Sequence, residues 1–133
     1  WIVKSEPEDW AWDMQMKEGR TYWDGVRNYQ AANNLRAMKV GDQCMFYHSV
    51  KEKRIVGIME VTHEAVPDPK DPRGRFVMVD MKTLKSLHHP ITLEQIKNDP
   101  TLNHLALVRQ SRLSVIPVDE KAWWRLLELG GVE

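Results

Sequence analysis

The chain of 133 residues has one cysteine, no excess of either charge, no cluster of glycines and no apolar run near the roughly 18–20 residues that cross a bilayer. Each shortage excludes something. Cys44 alone forms no internal disulfide, which suits a reducing, cytoplasmic compartment. The first ten residues, WIVKSEPEDW, carry too many acids for a signal peptide, so neither a membrane nor a secreted role is expected. Nineteen Lys and Arg balance nineteen Asp and Glu, which argues against a domain that holds nucleic acid mainly by bulk positive charge. The glycines are single except Gly130-Gly131, so no phosphate-cradling loop is present. His88 and His89 are adjacent, His63 and His104 isolated, and neither C-x-x-C nor H-E-x-x-H occurs, so no metal or other cofactor is expected. No serine sits in a G-x-S-x-G elbow, and Ser49 cannot use His48 as a base if the two alternate across a strand. Cys44 lies in an apolar strand without a basic neighbour, as a buried inert thiol would.

What is present is enough for one domain over residues 1–133. A chain of this size buries about two-thirds of its unfolded surface and folds without a staple. Gln43–Val50 and Arg54–Thr62 are apolar strands joined by charged Lys51-Glu52-Lys53, a hairpin. Phe76–Leu84 is a third strand, with Val77, Val79 and Met81 on one face and Asp80 and Lys82 on the other. Trp1–Val3 and Leu113–Val118 add two more, and Pro117 puts the latter at a sheet edge or bulge. Helical spacing marks Asp9–Lys17 and Arg27–Met38, Thr92 with Gln95 reads as a capping box, and Asp119 caps a final helix anchored by Trp123. Val66–Gly74, with three prolines and a glycine, is a stiff surface loop. About five strands with interspersed helices and no strict βαβ alternation predict an α+β domain built on a small curled sheet or barrel.

Three polar-aromatic islands stand out: Lys4-Ser5-Glu6-Pro7 after the first strand, Tyr22-Trp23-Asp24-Gly25-Val26-Arg27-Asn28-Tyr29, and Phe46-Tyr47-His48-Ser49. Each has a structural role open to it. Ser5 with Glu8 fits a capping box, Trp23 a core anchor, Asp24-Gly25 a turn, Asn28 an N-cap and His48 a hydrogen-bonded core histidine. If the first strand and the hairpin are neighbours, the islands instead line one concavity with an indole face and a few fixed donors and acceptors, which suits a nucleobase. Arg20–Lys39 holds four basic residues against Asp24 alone, and Leu105–Val118 holds Arg109 and Arg112 with no acid. Such arginines could take phosphates, or pair with surface carboxylates.

The segments WIVKSEPEDWAW, TYWDGVRNYQAANNLRAMKVGD, FYHS, IVGIMEV, PDP and RQSRLSVIPV follow in the order of the EVE domain family, which the chain resembles over nearly its whole length. Its short length resembles a stand-alone bacterial member. The resemblance implies a PUA-like α+β fold, a small curled β-sheet or barrel decorated with short helices and related to ASCH and YTH domains. It also implies a non-enzymatic reader of a modified base, 5-methyl- or 5-hydroxymethylcytosine in DNA, with a modified base in RNA as the alternative. Under it Lys4, Ser5, Glu6, Trp23, Asp24, Asn28, Tyr47, His48, Ser49 and Asp68 form the base pocket, with Trp23 stacking. Arg27, Arg109 and Arg112 go to the nucleic-acid backbone. A rival from another class is an enzyme acting on a nucleotide, with Glu6 and His48 as acid and base. Oligomeric state, and the places of Trp10, Trp12 and Trp124, stay open.

Overall fold

A computed structural model describes residues 1–132. The chain runs β1 (Ile2–Ser5), α1 (Trp12–Glu18), β2 (Arg20–Trp23), α2 (Tyr29–Ala37), β3 (Gln43–His48), β4 (Arg54–Pro67), β5 (Val77–Thr92), α3 (Leu93–Lys97), α4 (Ala106–Arg109), β6 (Val115–Ile116) and α5 (Glu120–Gly130). The six strands form one sheet in the order β2-β5-β4-β3-β1-β6. Its pairings are antiparallel except β1 with β3, where Ile2 to Ser5 run parallel to Met45 to His48.

The sheet curls because its two longest strands must bend. At about 3.3 Å per residue a straight 16-residue β5 would reach roughly 50 Å. A 133-residue domain has a radius of gyration of only about 14 Å. The register of β4 against β5 shifts between Ile55 and Gly57, Ile58 and Met59, Val61 and His63, and His63 and Val66. Each irregularity tightens the right-handed twist, and the result is a half-barrel.

Local chemistry fixes the helices. The Asn28 side chain accepts the Ala31 N–H at the start of α2, Asp119 does the same for Ala122 at α5, and Thr92 with Gln95 closes the expected capping box at α3. The helix predicted over Asp9–Lys17 starts later, after Ala11, whose side chain caps nothing. The Ser5–Glu8 capping box does not form, since the Ser5 hydroxyl donates to the Trp10 carbonyl at 2.6 Å. Strand β2 and helix α4 are additions to the expected elements, and β5 continues eight residues past Leu84. Val77, Val79 and Met81 are buried as predicted, but so is Asp80, assigned to the polar face. Arg20 on neighbouring β2 pairs with its carboxylate. Burial acts to raise the Asp80 pKa, and the Arg20 guanidinium outweighs it and holds the carboxyl below its ordinary range.

The core is organised around Phe46. Trp12 packs edge-on against it at 5.1 Å between centroids and Trp23 at 5.5 Å with an 88° interplanar angle. Phe46 stands opposite Gly57 on β4. The Trp12 indole lies over that glycine so closely that a Cβ there would meet its ring at 2.1 Å, and Trp12 Nε1–H donates to Ser86 Oγ at 2.8 Å. Cys44 is buried and free, and burial pushes its thiol up to about 12, as an inert core residue requires.

Gly57→Ala should therefore destabilise the protein by roughly 3 kcal/mol, the upper end of overpacking costs, because no rotamer choice removes a backbone-borne methyl from the indole. Urea unfolding measures it. The cost should be less than additive with Trp12→Ala, since removing the indole removes the clash.

Candidate functional site

A cleft of about 820 Å³ opens where the end of β1, the loop leading to α1, strand β2 and the turn after it converge, with Lys70 and Ser114 on its margins. Most of the residues expected to form a pocket meet here, Lys4, Ser5, Glu6, Trp23, Asp24 and Asn28, joined by Arg27, which was expected on the nucleic-acid backbone. The wall from β1 is held by a local turn, the Glu6 carbonyl accepting the N–H groups of Asp9 and Trp10 at 2.9 Å. Lys4 Nζ donates to the Ser111 carbonyl at 2.9 Å and stands 5.9 Å from the centroid of the Tyr47 ring. Burial lowers the Lys4 pKa, and burial pushes the Tyr47 phenol up to about 12, leaving it a neutral ring beneath a cation.

The opposite wall is the turn from Trp23 to Asn28, shaped by a buried carboxylate. Asp68, on the proline-rich loop, is only 1 % exposed. Its Oδ2 accepts Gly25 N–H at 2.9 Å and Arg27 Nη1–H at 3.0 Å, and its Oδ1 accepts Lys70 N–H at 2.8 Å. Gly25 has φ of 75°, a left-handed conformation natural to glycine, and it brings that N–H to Asp68. Burial acts to raise the Asp68 pKa, but the hydrogen bonds from Gly25, Lys70 and Arg27 outweigh it and keep the carboxyl low. Above it, Lys70 Nζ pairs with Asp24 at 3.1 Å.

Two tryptophans and Tyr22 supply the aromatic surface of the cleft. Trp23 is 8 % exposed, so one indole serves both the Phe46 cluster and the cleft. Trp10, half-buried, lines the cleft too, its Nε1–H donating at 2.8 Å to Gln15 Oε1. Gln15 is fully buried and its Nε2 donates to Thr83, so the Trp10 ring is held from below. Nothing in the spacing of WIVKSEPEDW marks Trp10 for this place, because the contact that orients it belongs to the next helix. Tyr22 and Val26 of the second island line the cleft as well, and so do Asp9 and Thr21, which nothing in the sequence marks.

Four residues expected in the pocket are not on its wall. Asp68 lies behind the turn and shapes it. His48 Nε2 accepts the Trp12 N–H at 3.0 Å, while Nδ1 lies 3.2 Å from Glu52. That pattern requires the Nδ1–H tautomer and occupies both ring nitrogens. His48 thus satisfies the first N–H of α1, and it presents no acid or base to an atom that Glu6 could also reach. Tyr47 sits under Lys4. Ser49 extends the β1–β3 ladder, its N–H donating to the Ser5 carbonyl at 2.9 Å. Arg109 and Arg112 are exposed on the segment whose Ser111 holds Lys4 and whose Ser114 borders the cleft.

Among the described residues no cluster of His, Cys, Asp and Glu could hold a metal ion, and no helix is long and apolar enough to cross a membrane. The cleft instead combines flat apolar faces with groups of fixed hydrogen-bonding sense. Asn28 Oδ1 accepts the Ala31 N–H at 2.9 Å, which fixes the sense of the side-chain amide and leaves its N–H groups as donors. Glu6 and Asp9 can only accept.

A model of the EVE domain family matches residues 1–129. Thymocyte nuclear protein 1 of Gallus gallus is 34 % identical over 97 % of this chain and 67 % of its own length. The solution structure of Rpa0253 from Rhodopseudomonas palustris superimposes with a TM-score of 0.93 at 47 % identity, covering 98 % of this chain and 92 % of that one. Human THYN1 protein, crystallised in complex with DNA containing 5-methylcytosine, does so with a TM-score of 0.87 at 31 % identity, covering 100 % and 98 %.

Asp68→Asn should cost about 1–3 kcal/mol near neutral pH, since the amide cannot satisfy all the buried donors; the half-exposed Arg27 contributes little of this. The native carboxyl titrates below the unfolded value of about 3.9. Its stabilisation is complete above that value and is lost as pH falls through the native one. Urea unfolding of the two proteins from about pH 5 to about pH 2 should show the difference narrowing with acid.

Proposed function

Because the chain belongs to the EVE domain family, we propose that it is a non-enzymatic reader of a modified nucleobase, 5-methyl- or 5-hydroxymethylcytosine in DNA, taken one base at a time into this cleft. The observation that carries the reading is the pairing of two tryptophan faces with donors and acceptors of fixed sense in a single cleft of about 820 Å³. Support for the modified cytosine comes from the human relative seen with 5-methylcytosine DNA.

Cytosine offers ring and carbonyl acceptors beside an exocyclic amine. The Asn28 amide N–H groups suit the acceptors, and the carboxylates of Glu6 and Asp9 suit the amine. Lys4 adds a partly desolvated donor to the same wall. The 5-substituent adds apolar or hydroxyl surface that an indole face can cover. Extruding the base from a duplex costs a few kcal/mol, and stacking returns about 1–3 kcal/mol per base, so the edge contacts must supply the remainder. No bond to the base is made or broken in this scheme, and His48, committed to Trp12 and Glu52, is left out of it.

The test is a fluorescence-anisotropy titration with matched DNA and RNA oligonucleotides carrying 5-methylcytosine, 5-hydroxymethylcytosine, N-methyladenine or no modification. The wild type should prefer one of the cytosine modifications in DNA. Trp23→Ala should abolish the preference, and Trp23→Phe, which keeps a ring against Phe46, should retain part of it. Equal weak binding to every oligonucleotide would sink the proposal, and a preference confined to RNA would move it to the other nucleic acid.

A further inference from the structure

The family match and the cleft say where a base could sit, not where the strand on either side of it would lie. Next to the cleft, beyond Arg27, the turn that precedes β5 packs on the start of α2. Tyr29 and Phe76 stack at 5.1 Å between centroids, and the Arg27 guanidinium stands 5.3 Å from the Phe76 ring. Arg75 Nη1–H donates to the Tyr29 hydroxyl at 3.2 Å, and Arg36 donates through Nη2 to the Arg75 carbonyl and through Nη1 to Asn33 Oδ1. Arg73 is exposed on the same turn.

The arginines here are set apart by what holds them. Asp71, the nearest acid in sequence, has its oxygens engaged by the backbone N–H groups of Arg73, Arg75 and Phe76. Asp24 is taken by Lys70 and Asp68 by Arg27. Among the described residues Arg36, Arg73 and Arg75 make no ion pair, and the two that are anchored are anchored by neutral acceptors. In a chain of zero net charge, three uncompensated guanidinium groups fall on one patch. Tyr29, 56 % exposed, adds an open ring among them.

We propose that this patch is a phosphate track, holding the sugar–phosphate backbone of the nucleic-acid strand next to the base in the cleft, with Arg36, Arg73 and Arg75 contacting phosphates and Tyr29 supporting a neighbouring base or sugar. It rests on the base-reading function for the identity of the strand. The chemistry is that of guanidinium forks on phosphate oxygens, pre-positioned so that little side-chain freedom is lost on contact. The track gives the domain a local electrostatic grip that its overall neutrality conceals.

The experiment measures anisotropy of a labelled single-stranded DNA carrying one 5-methylcytosine, and of its unmodified twin, from about 50 to 200 mM salt. Relative to wild type, the triple variant Arg36→Ala, Arg73→Ala, Arg75→Ala should bind at least tenfold more weakly, and its slope of log affinity against log salt should be shallower by about 2, near 0.7 for each phosphate released. The triple lysine variant should keep most of the slope. Should the alanine variant lose its circular-dichroism spectrum, Arg75→Glu alone carries the test and should flatten the slope by about 1 or more. A variant with wild-type slope and affinity overturns the track, as does a wild type that binds neither DNA in a salt-dependent way. Failure of the base-reading function looks different: modified and unmodified DNA bind alike while the triple variant still flattens the slope.

Discussion

A missing side chain organises this molecule. Gly57 lies opposite Phe46, and the space above it admits the Trp12 indole where any Cβ would collide with the ring. Trp12 is the first residue of α1, so the glycine decides how close that helix comes to the sheet. From this contact the order propagates in two directions. Along the helix, Gln15 is carried into the core and grips the Trp10 indole; across the ring cluster, Phe46 seats Trp23 edge-on at the other wall of the cleft. Both tryptophans of the cleft are therefore indexed to one point of close backbone approach, and interiors packed at crystal-like density pass such constraints on with little slack.

Polar groups complete what packing begins. The turn from Trp23 to Asn28 has few apolar contacts beyond Trp23 and Val26, both buried, and its shape is set by a carboxylate reached from a distant loop. Asp68 is buried yet ionised because it receives hydrogen bonds on both oxygens, the condition under which a desolvated charge is tolerated. Strand β4 runs on to Pro67, and Pro69 and Pro72 then bar helix and ladder from residues 68–74 and make that loop stiff, and a stiff loop is what a fixed acceptor needs. Loop chemistry that reads as surface punctuation is here part of the wall's foundation.

Much of this was legible in the sequence, for identifiable reasons. Caps at Asn28, Thr92 and Asp119 depend on neighbours three residues away, and strands β3, β4 and the first half of β5 carry strong apolar runs, so local pattern suffices. Strand β2 reads RTYW, half exposed and short, and exists because β5 offers it an edge. The far half of β5, KSLHHPIT, is mostly solvent-facing and contains a proline; its pairing with the start of β4 is a tertiary fact. Within the cleft, the KSE of KSEP and the WDGVRN turn are recognisable because each is a continuous segment that lines the wall where it stands. His48 was misplaced because its partner, the Trp12 N–H, is 36 residues away, and Trp10 was left unassigned because the amide that holds it is on another element. The six tryptophans divide accordingly: Trp12 in the core, Trp23 shared, Trp10 on the cleft, Trp1 and Trp123 partly buried against the core, and Trp124 in solvent.

The parallel pairing of β1 with β3, and its antiparallel pairing with β6, set a schedule for the newborn chain. Residues 2–5 are made before both of their neighbours, one some forty residues downstream and the other, at Val115 and Ile116, more than a hundred. Loops of that span must close before the first strand has hydrogen bonds on both sides. Lys4, Ser5 and the turn that presents Trp10 all hang from that strand, so the wall they form is secured on both sides only after Val115 and Ile116 have been made. A chain ending before Val115 would hold nearly all of the cleft's residues and leave β1 with one of its two neighbours.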